Sequence, residues 1–257
     1  MFPGFIYSAP IGTLGTGEVH LWRLSIEDVM RSQCLETLSK LLSDEEKNRL
    51  AAYRSESRRQ IFIIGRAALR IILSAFMSGM PPESIGLTAS AHGKPMLEDD
   101  VSQLQFNLSH SRDSIVIAVT RERLIGVDIE FMKARPTMAD IASHYFHSHD
   151  MQAINYALQS EGYPSALRLF YKIWALKEAF IKADGKGMAI PGDCFYFKYI
   201  DQSNPCIEFT GYRSDVAKKW HFEHQFIDTL YSVALALALD VSERKDRIIV
   251  TQRQFSF

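Results

Sequence analysis

Trp174-Ala-Leu-Lys-Glu-Ala-Phe-Ile-Lys182-Ala-Asp-Gly-Lys-Gly187 reads as the end of a helix. Strong helix formers run from about Leu169 to Ala183, and Gly185 and Gly187 stop them. On a helical wheel Phe170, Ile173, Trp174, Leu176, Phe180 and Ile181 form one broad apolar arc. Lys177 falls inside that arc, and Glu178 and Lys182 sit at its edge, one turn apart. An unpaired charge against a buried face is costly to desolvate, so these side chains need partners. A snorkelling lysine and a surface ion pair would satisfy the wheel taken alone.

A second acidic pair lies on Leu124 to Glu130, which alternates as a strand with Val127 and Ile129 on one face and Asp128 and Glu130 on the other. Their Cα atoms are roughly 6.5 to 7 Å apart on such a strand. With Glu178 they would offer three hard oxygen donors, a set suited to Mg2+ and to a phosphorylated ligand rather than to zinc. By itself, Asp-Ile-Glu is equally an ordinary solvated strand face.

Working outward, Glu18 to Leu24 alternates as a half-buried strand. Ser43-Asp-Glu-Glu46 is a capping box that opens a helix to about Tyr53, and a longer helix runs from about Arg59 to Met77. In that longer helix Arg66 and Arg70 share a polar stripe. Ile85 to Leu87 reads as a short strand, and His92-Gly-Lys-Pro95 as a turn presenting Lys94. Gln105 to His110 and Ser114 to Thr120 form a hairpin. Helices are expected at Met138–Phe146 and Asp150–Leu158, and strands at 194–200, 206–211, 220–226 and 231–239. Each half runs long helix, Gly-Lys turn, hairpin (59–77 with Gly93-Lys94; 169–183 with Gly185-Lys186). The expectation is an α+β fold of two similar halves, 1–124 and 125–257, in pseudo-two-fold arrangement with the active site in the cleft between them.

The 257 residues are 47% hydrophobic and 23% charged with net charge −1, which gives no global basic field for nucleic acid. Cys34, Cys194 and Cys206 are scattered without metal-type pairing, which suits a reducing compartment. Met1 to Gly17 lacks the pattern of a signal peptide, and Val233–Leu239 is too short to span a bilayer, so a cytoplasmic protein with no membrane partner is expected. His144, His147 and His149 do not share one helix face, and no cysteine is near, which disfavours zinc. Gly12 to Gly17 is not a dinucleotide loop, and no Gly-x-Ser-x-Gly elbow exists.

Taken jointly and in order, Gly65-Arg-Ala-Ala-Leu-Arg70, His92-Gly-Lys-Pro95, Phe106-Asn-Leu-Ser-His-Ser111, Gly126-Val-Asp-Ile-Glu130 and the helix from Trp174 to Lys182 resemble one family. The chain is similar to the 4'-phosphopantetheinyl transferases of the surfactin-synthetase type. The resemblance covers about residues 43 to 190. It implies a monomer whose 1–124 half binds coenzyme A and whose 125–257 half carries the metal and catalytic residues. It further implies Mg2+-dependent transfer of the phosphopantetheine arm to a serine of an apo acyl or peptidyl carrier protein, releasing adenosine 3',5'-bisphosphate. Asp128, Glu130 and Glu178 would hold the metal, with Mg2+ or Mn2+ left open, and Glu178 would be general base. Lys182 would neutralise charge on the pyrophosphate. Arg49, Arg70, Lys94, Ser109, His110 and Lys177 would bind coenzyme A, chiefly its phosphates. The large two-half form leans towards secondary metabolism or broad use, with an enzyme restricted to the fatty-acid carrier as rival. Two rivals of a different kind are a catalytically silent carrier-binding module and a Mg2+-dependent pyrophosphohydrolase acting on coenzyme A. The chain departs from the family pattern at two places. Glu46 stands where relatives often carry lysine, and His144-Tyr-Phe-His-Ser-His-Asp150 replaces a segment ending in glutamate.

Overall fold

The computed structural model describes residues 14–15, 17–33, 35–98, 102–187, 190–202, 204–210, 220–239, 248–255 and 257. The amino-terminal stretch 1–13, Thr16, Cys34 and Gly211 lie outside the described residues. Backbone packing divides the chain into two compact units, Met1–Glu122 with Ile249–Phe257, and Arg123–Ile248. Among the described residues no helix is long and apolar enough to cross a membrane.

In the first unit β1 (Glu18–Ser25) runs into α1 (Ile26–Ser32), which Ser25 caps by accepting the Asp28 N–H. After α2 (Leu35–Ser39) comes α3 (Asp44–Ala51), opened by the capping box. Ser43 Oγ accepts the Glu46 N–H at 3.2 Å, and Glu46 Oε2 accepts the Ser43 N–H at 2.9 Å. α4 (Glu56–Phe76) buries Ile64, Ala68, Ile71 and Ile72 in a core shared with Trp22, Ile115 and Ile117. A 3-10 turn over Pro82–Ser84 delays the next strand, so β2 occupies Leu87–Ala89 rather than starting at Ile85. It pairs with β3 (Pro95–Leu97) across the His92-Gly93 turn. The hairpin of β4 (Leu104–Ser111) and β5 (Ser114–Arg121) joins β1 and β11 (Ile249–Gln254) in a sheet of order β11-β1-β5-β4. Residues 249–254, grouped by sequence order with the C-terminal half, thus pair in parallel with β1.

In the second unit β6 (Ile125–Phe131), β10 (Tyr231–Ala238) and β9 (Trp220–Ile227) form an antiparallel sheet of order β6-β10-β9. Between β6 and β9 come α5 (Met138–Tyr145), α6 (Ser148–Ser160), α7 (Tyr163–Asp184) and the hairpin β7 (Phe195–Lys198)–β8 (Cys206–Phe209). α7 begins at Tyr163, ahead of the expected Leu169, because Gly162 (φ 91°) turns the chain and Pro164 suits a first helical turn. Gly185, left-handed at φ 79°, ends it by donating to the Ile181 carbonyl at 3.1 Å. The helix lies directly on β6. A Cβ on Gly126 would sit 2.0 Å from the Ala179 carbonyl oxygen and 2.5 Å from the Ala183 nitrogen.

A buried polar chain ties this sheet to α7. Ser232 Oγ donates to the Tyr171 carbonyl at 3.0 Å, so His224 Nε2, 2.8 Å from that hydroxyl, carries the proton and donates to it. Burial, then Lys172 and Arg168, hold the His224 imidazole down to about 3. Below about pH 6.5 the unfolded chain takes up a proton that the native state refuses. Stability is therefore expected to fall as pH drops from about 6.5 towards 3, by up to about 1.4 kcal/mol per pH unit from this group. Urea unfolding at pH 7, 6 and 5 checks it, and an unchanged acid slope in His224→Gln would rule it out.

Candidate active site

β6 and α7 bring four charged side chains of the second unit together. Asp128 and Glu130 leave β6 on one face, Asp128 buried and Glu130 half-buried. Glu178 and Lys182 are one turn apart on α7. Lys182 Nζ lies 2.6 Å from Asp128 Oδ1. Burial and then Asp128 push the Glu130 carboxyl up to about 7, against the opposing pull of Arg135, Lys182 and a hydrogen bond from Trp174. Burial and Asp128 likewise raise Glu178, against Lys182. Asp128 thus shapes the protonation of both glutamates. Trp174, at the next turn back from Glu178, is packed edge-on to Tyr145 and close to Phe146 and Phe170, which fixes its indole beside Glu130.

Lys177 is where the helical wheel puts it but not where a ligand could use it. Its ammonium pairs with Asp150 Oδ2 at 2.8 Å and donates to the carbonyls of Gly192 (2.8 Å) and Phe195 (2.5 Å). The pair is buried, and burial lowers the Lys177 pKa against the pull of Asp150. The expected phosphate role of Lys177 therefore gives way to a structural one, and Asp150 is its counter-ion. His147 and His149 stack on Tyr196 with centroids 4.8 and 4.4 Å away, and His147 Nδ1 accepts the His149 N–H to cap α6.

Arg70 is corrected in the same way. Its guanidinium is 1% exposed and bonds Glu46 Oε2 (2.7 Å), the Ile85 carbonyl (2.5 Å) and the Pro82 carbonyl (3.3 Å), so nothing of it faces solvent phosphate. Glu46, the departure from the family pattern, is both its partner and the capping residue of α3. Arg66, one turn before Arg70, is only partly buried. It contacts Glu46 Oε1 at 3.5 Å and lines a cavity of about 440 Å3 in the first unit. Arg49, Arg58 and His110 line that cavity too, with Tyr53 and Phe62 as its aromatic wall. Arg49 and Arg66 lie 5.7 and 5.5 Å from the Phe62 ring centre. Pro95 and His110 reach the wall, whereas their neighbours Lys94 and Ser109 do not form it. Arg58, Phe62 and Arg66 recur every four residues along α4, a periodic cation–aromatic stripe that sequence reasoning passed over.

Two family models match the chain, "4'-phosphopantetheinyl transferase superfamily" over residues 124–238 and "4'-phosphopantetheinyl transferase, N-terminal" over residues 30–122. A 4'-phosphopantetheinyl transferase HetI from Nostoc sp. is 34% identical over 179 residues, 69% of this chain and 73% of that protein. The chain belongs to the 4'-phosphopantetheinyl transferase family. A 4'-phosphopantetheinyl transferase of Bacillus subtilis is 33% identical, over 65% of the chain and 76% of the relative. The human L-aminoadipate-semialdehyde dehydrogenase-phosphopantetheinyl transferase is 29% identical over 84% and 75%. This phosphopantetheinyl transferase is accordingly an enzyme. Its superfamily match runs from β6 through β10 and holds Asp128, Glu130, Glu178 and Lys182, while its N-terminal match holds the arginine-lined cavity.

Proposed function

We propose that the enzyme transfers the 4'-phosphopantetheine arm of coenzyme A to a serine of an apo acyl or peptidyl carrier protein, with Mg2+, releasing adenosine 3',5'-bisphosphate. The observation that carries this reading is the meeting of Asp128, Glu130, Glu178 and Lys182 on adjoining faces of β6 and α7. Asp128 and Glu130 on β6 and Glu178 on α7 are hard oxygen donors, and burial with Asp128 pushes both glutamates towards the neutral form. Among the described residues, however, no three His, Cys, Asp or Glu side chains are grouped to hold a metal ion. Asp128, Glu130 and Glu178 would hold Mg2+, which would offset charge on the pyrophosphate.

The chain's own residues do the rest. Glu178, with its raised pKa, is the group suited to take the proton of the serine hydroxyl. The serine oxygen then bonds to the phosphorus at the pantetheine end, and the bond from that phosphorus to the bridging pyrophosphate oxygen breaks. Lys182 supplies charge to the departing bisphosphate. Taken by itself, the first unit's cavity offers Arg49, Arg66 and His110 to a phosphate and Phe62 and Tyr53 to a flat ring.

Incubation with coenzyme A, Mg2+ and several apo carrier proteins, followed by mass spectrometry of each carrier, tests the reading. A gain of one phosphopantetheine on a carrier supports it; no gain on any carrier overturns it, and phosphopantetheine freed without a carrier would mark a pyrophosphohydrolase. Glu178→Gln is expected to lose about 100-fold or more in kcat while still binding coenzyme A, measured by calorimetry. A fully active variant would refute the base assignment.

A further inference from the structure

We propose that Tyr171 is a positioning residue for the carrier protein: its hydroxyl holds residues 133–135 so that Arg135 presents a guanidinium fork to a carboxylate of the incoming carrier. The inference rests on the transferase reading for the identity of that partner.

Tyr171 is 1% exposed, and its hydroxyl is committed to a segment outside its own helix. It donates to the Lys133 carbonyl at 3.1 Å and accepts the Lys133 N–H at 3.2 Å and the Arg135 Nε–H at 2.9 Å. The one donor and two acceptor sites of a hydroxyl are thus all spent on the chain that follows β6. Tyr163, near the start of α7, grips the backbone of Arg135 as well, accepting its N–H at 2.9 Å and donating to its carbonyl at 3.3 Å. With Nε committed, the half-buried Arg135 keeps Nη1 and Nη2, which no described residue takes. That end-on pair matches a carboxylate in two parallel hydrogen bonds.

The order of contacts along α7 points to what brings the carboxylate. Lys182 lies against Asp128, Trp174 against Glu130 and Tyr171 against Arg135, so β6 and its continuation run opposite to the helix. Tyr171 is seven residues before Glu178, about 10 Å along the axis, while Lys182 lies one turn beyond Glu178 on the other side. A serine that displaces the bisphosphate in line must arrive opposite the leaving oxygen. Lys182 marks the leaving side, so the protein that carries the serine approaches from the end where Arg135 stands.

Steady-state kinetics on the full chain, with coenzyme A and apo acyl or peptidyl carrier varied in turn, test the role. Arg135→Ala is expected to raise the KM for carrier about tenfold and the KM for coenzyme A by less than about twofold. Added NaCl should raise the carrier KM of wild type and leave that of Arg135→Ala nearly flat. Tyr171→Phe keeps the buried ring and should raise the carrier KM about threefold, yet add nothing in an Arg135→Ala background. A tyrosine that only braces the fold would keep its effect there, and that result overturns the proposal. So does an equal rise of both KM values in Arg135→Ala. Calorimetry of apo carrier binding separates the two readings. Carrier that is modified with an unaltered KM by Arg135→Ala sinks the docking role alone. Carrier bound about tenfold more weakly by Arg135→Ala, but never modified by wild type, sinks the transferase reading alone. Neither binding nor modification sinks both.

Discussion

Gly126→Ala is expected to unfold the enzyme at markedly lower urea and to remove more than about 99% of its turnover. The new methyl carbon would stand 2.0 Å from the Ala179 carbonyl oxygen, 2.5 Å from the Ala183 nitrogen and 3.0 Å from its Cα. All three are helix backbone atoms, so no side-chain rotation relieves the overlap. β6 cannot retreat easily either, since Gly126 is paired with Ala236 in the sheet. The helix must lift, at a cost of about 3 kcal/mol or more. Because Glu178 and Lys182 ride on the same helix, a shift of about 1 Å would cost on the order of 100-fold in rate. Gly65→Ala is the control: its Cβ would meet side chains and no backbone, Leu108 at 3.4 Å and Ile115 at 3.8 Å, and alanine favours a helix interior by about 1 kcal/mol. Chemical unfolding and turnover of both variants decide the matter. A Gly126→Ala enzyme with wild-type stability and rate would mean that strand and helix do not touch there.

The second large effect lies away from the reacting groups. Asp150→Ala is expected to cost about 3–5 kcal/mol, because it strands the Lys177 ammonium in a site that is almost closed to water. Lys177 would keep the carbonyls of Gly192 and Phe195 and the Phe195 ring 4.2 Å from its nitrogen, but would lose its ion-pair partner and keep only the weaker pull of Cys194 and Asp193. The contact also anchors β7, since Asp150 Oδ1 accepts the Phe197 N–H at 3.4 Å. Adding Lys177→Met should recover most of the loss by replacing a buried charge with an apolar chain of similar length. A double-mutant cycle in urea measures the coupling. A loss below about 1 kcal/mol for Asp150→Ala would show that the lysine finds water or sheds its proton without penalty.

These residues also mark where sequence reasoning reaches and where it stops. The wheel around Trp174 and the alternation at Asp128 and Glu130 rest on local periodicity, and the elements form at those places. The same wheel shows that Lys177 is buried but cannot say against what. A ligand phosphate and an internal carboxylate both satisfy a buried ammonium, and Asp150 is distant in sequence. Arg70 and Arg66 pose the same ambiguity one turn apart, and only the fold shows Glu46 drawing one inward and leaving the other at a cavity. Glu46 was legible as a capping residue, and that sufficient explanation hid its second task. β11 left no pattern to find, since an exposed edge strand with alternating polar side chains looks like a loop.

That strand bears on how the protein is made. β11 pairs with β1, so the second unit is threaded between two neighbours of one sheet. A ribosome delivers β1 early and β11 only after every element of the second unit. Until then β1 presents an unpaired backbone edge to other nascent chains, while the second unit already has all its strands and can close by itself. The exposure of the newborn chain to misassembly is thus set by the interval of synthesis between two strands, and a chaperone or a slow stretch of translation would act on that interval.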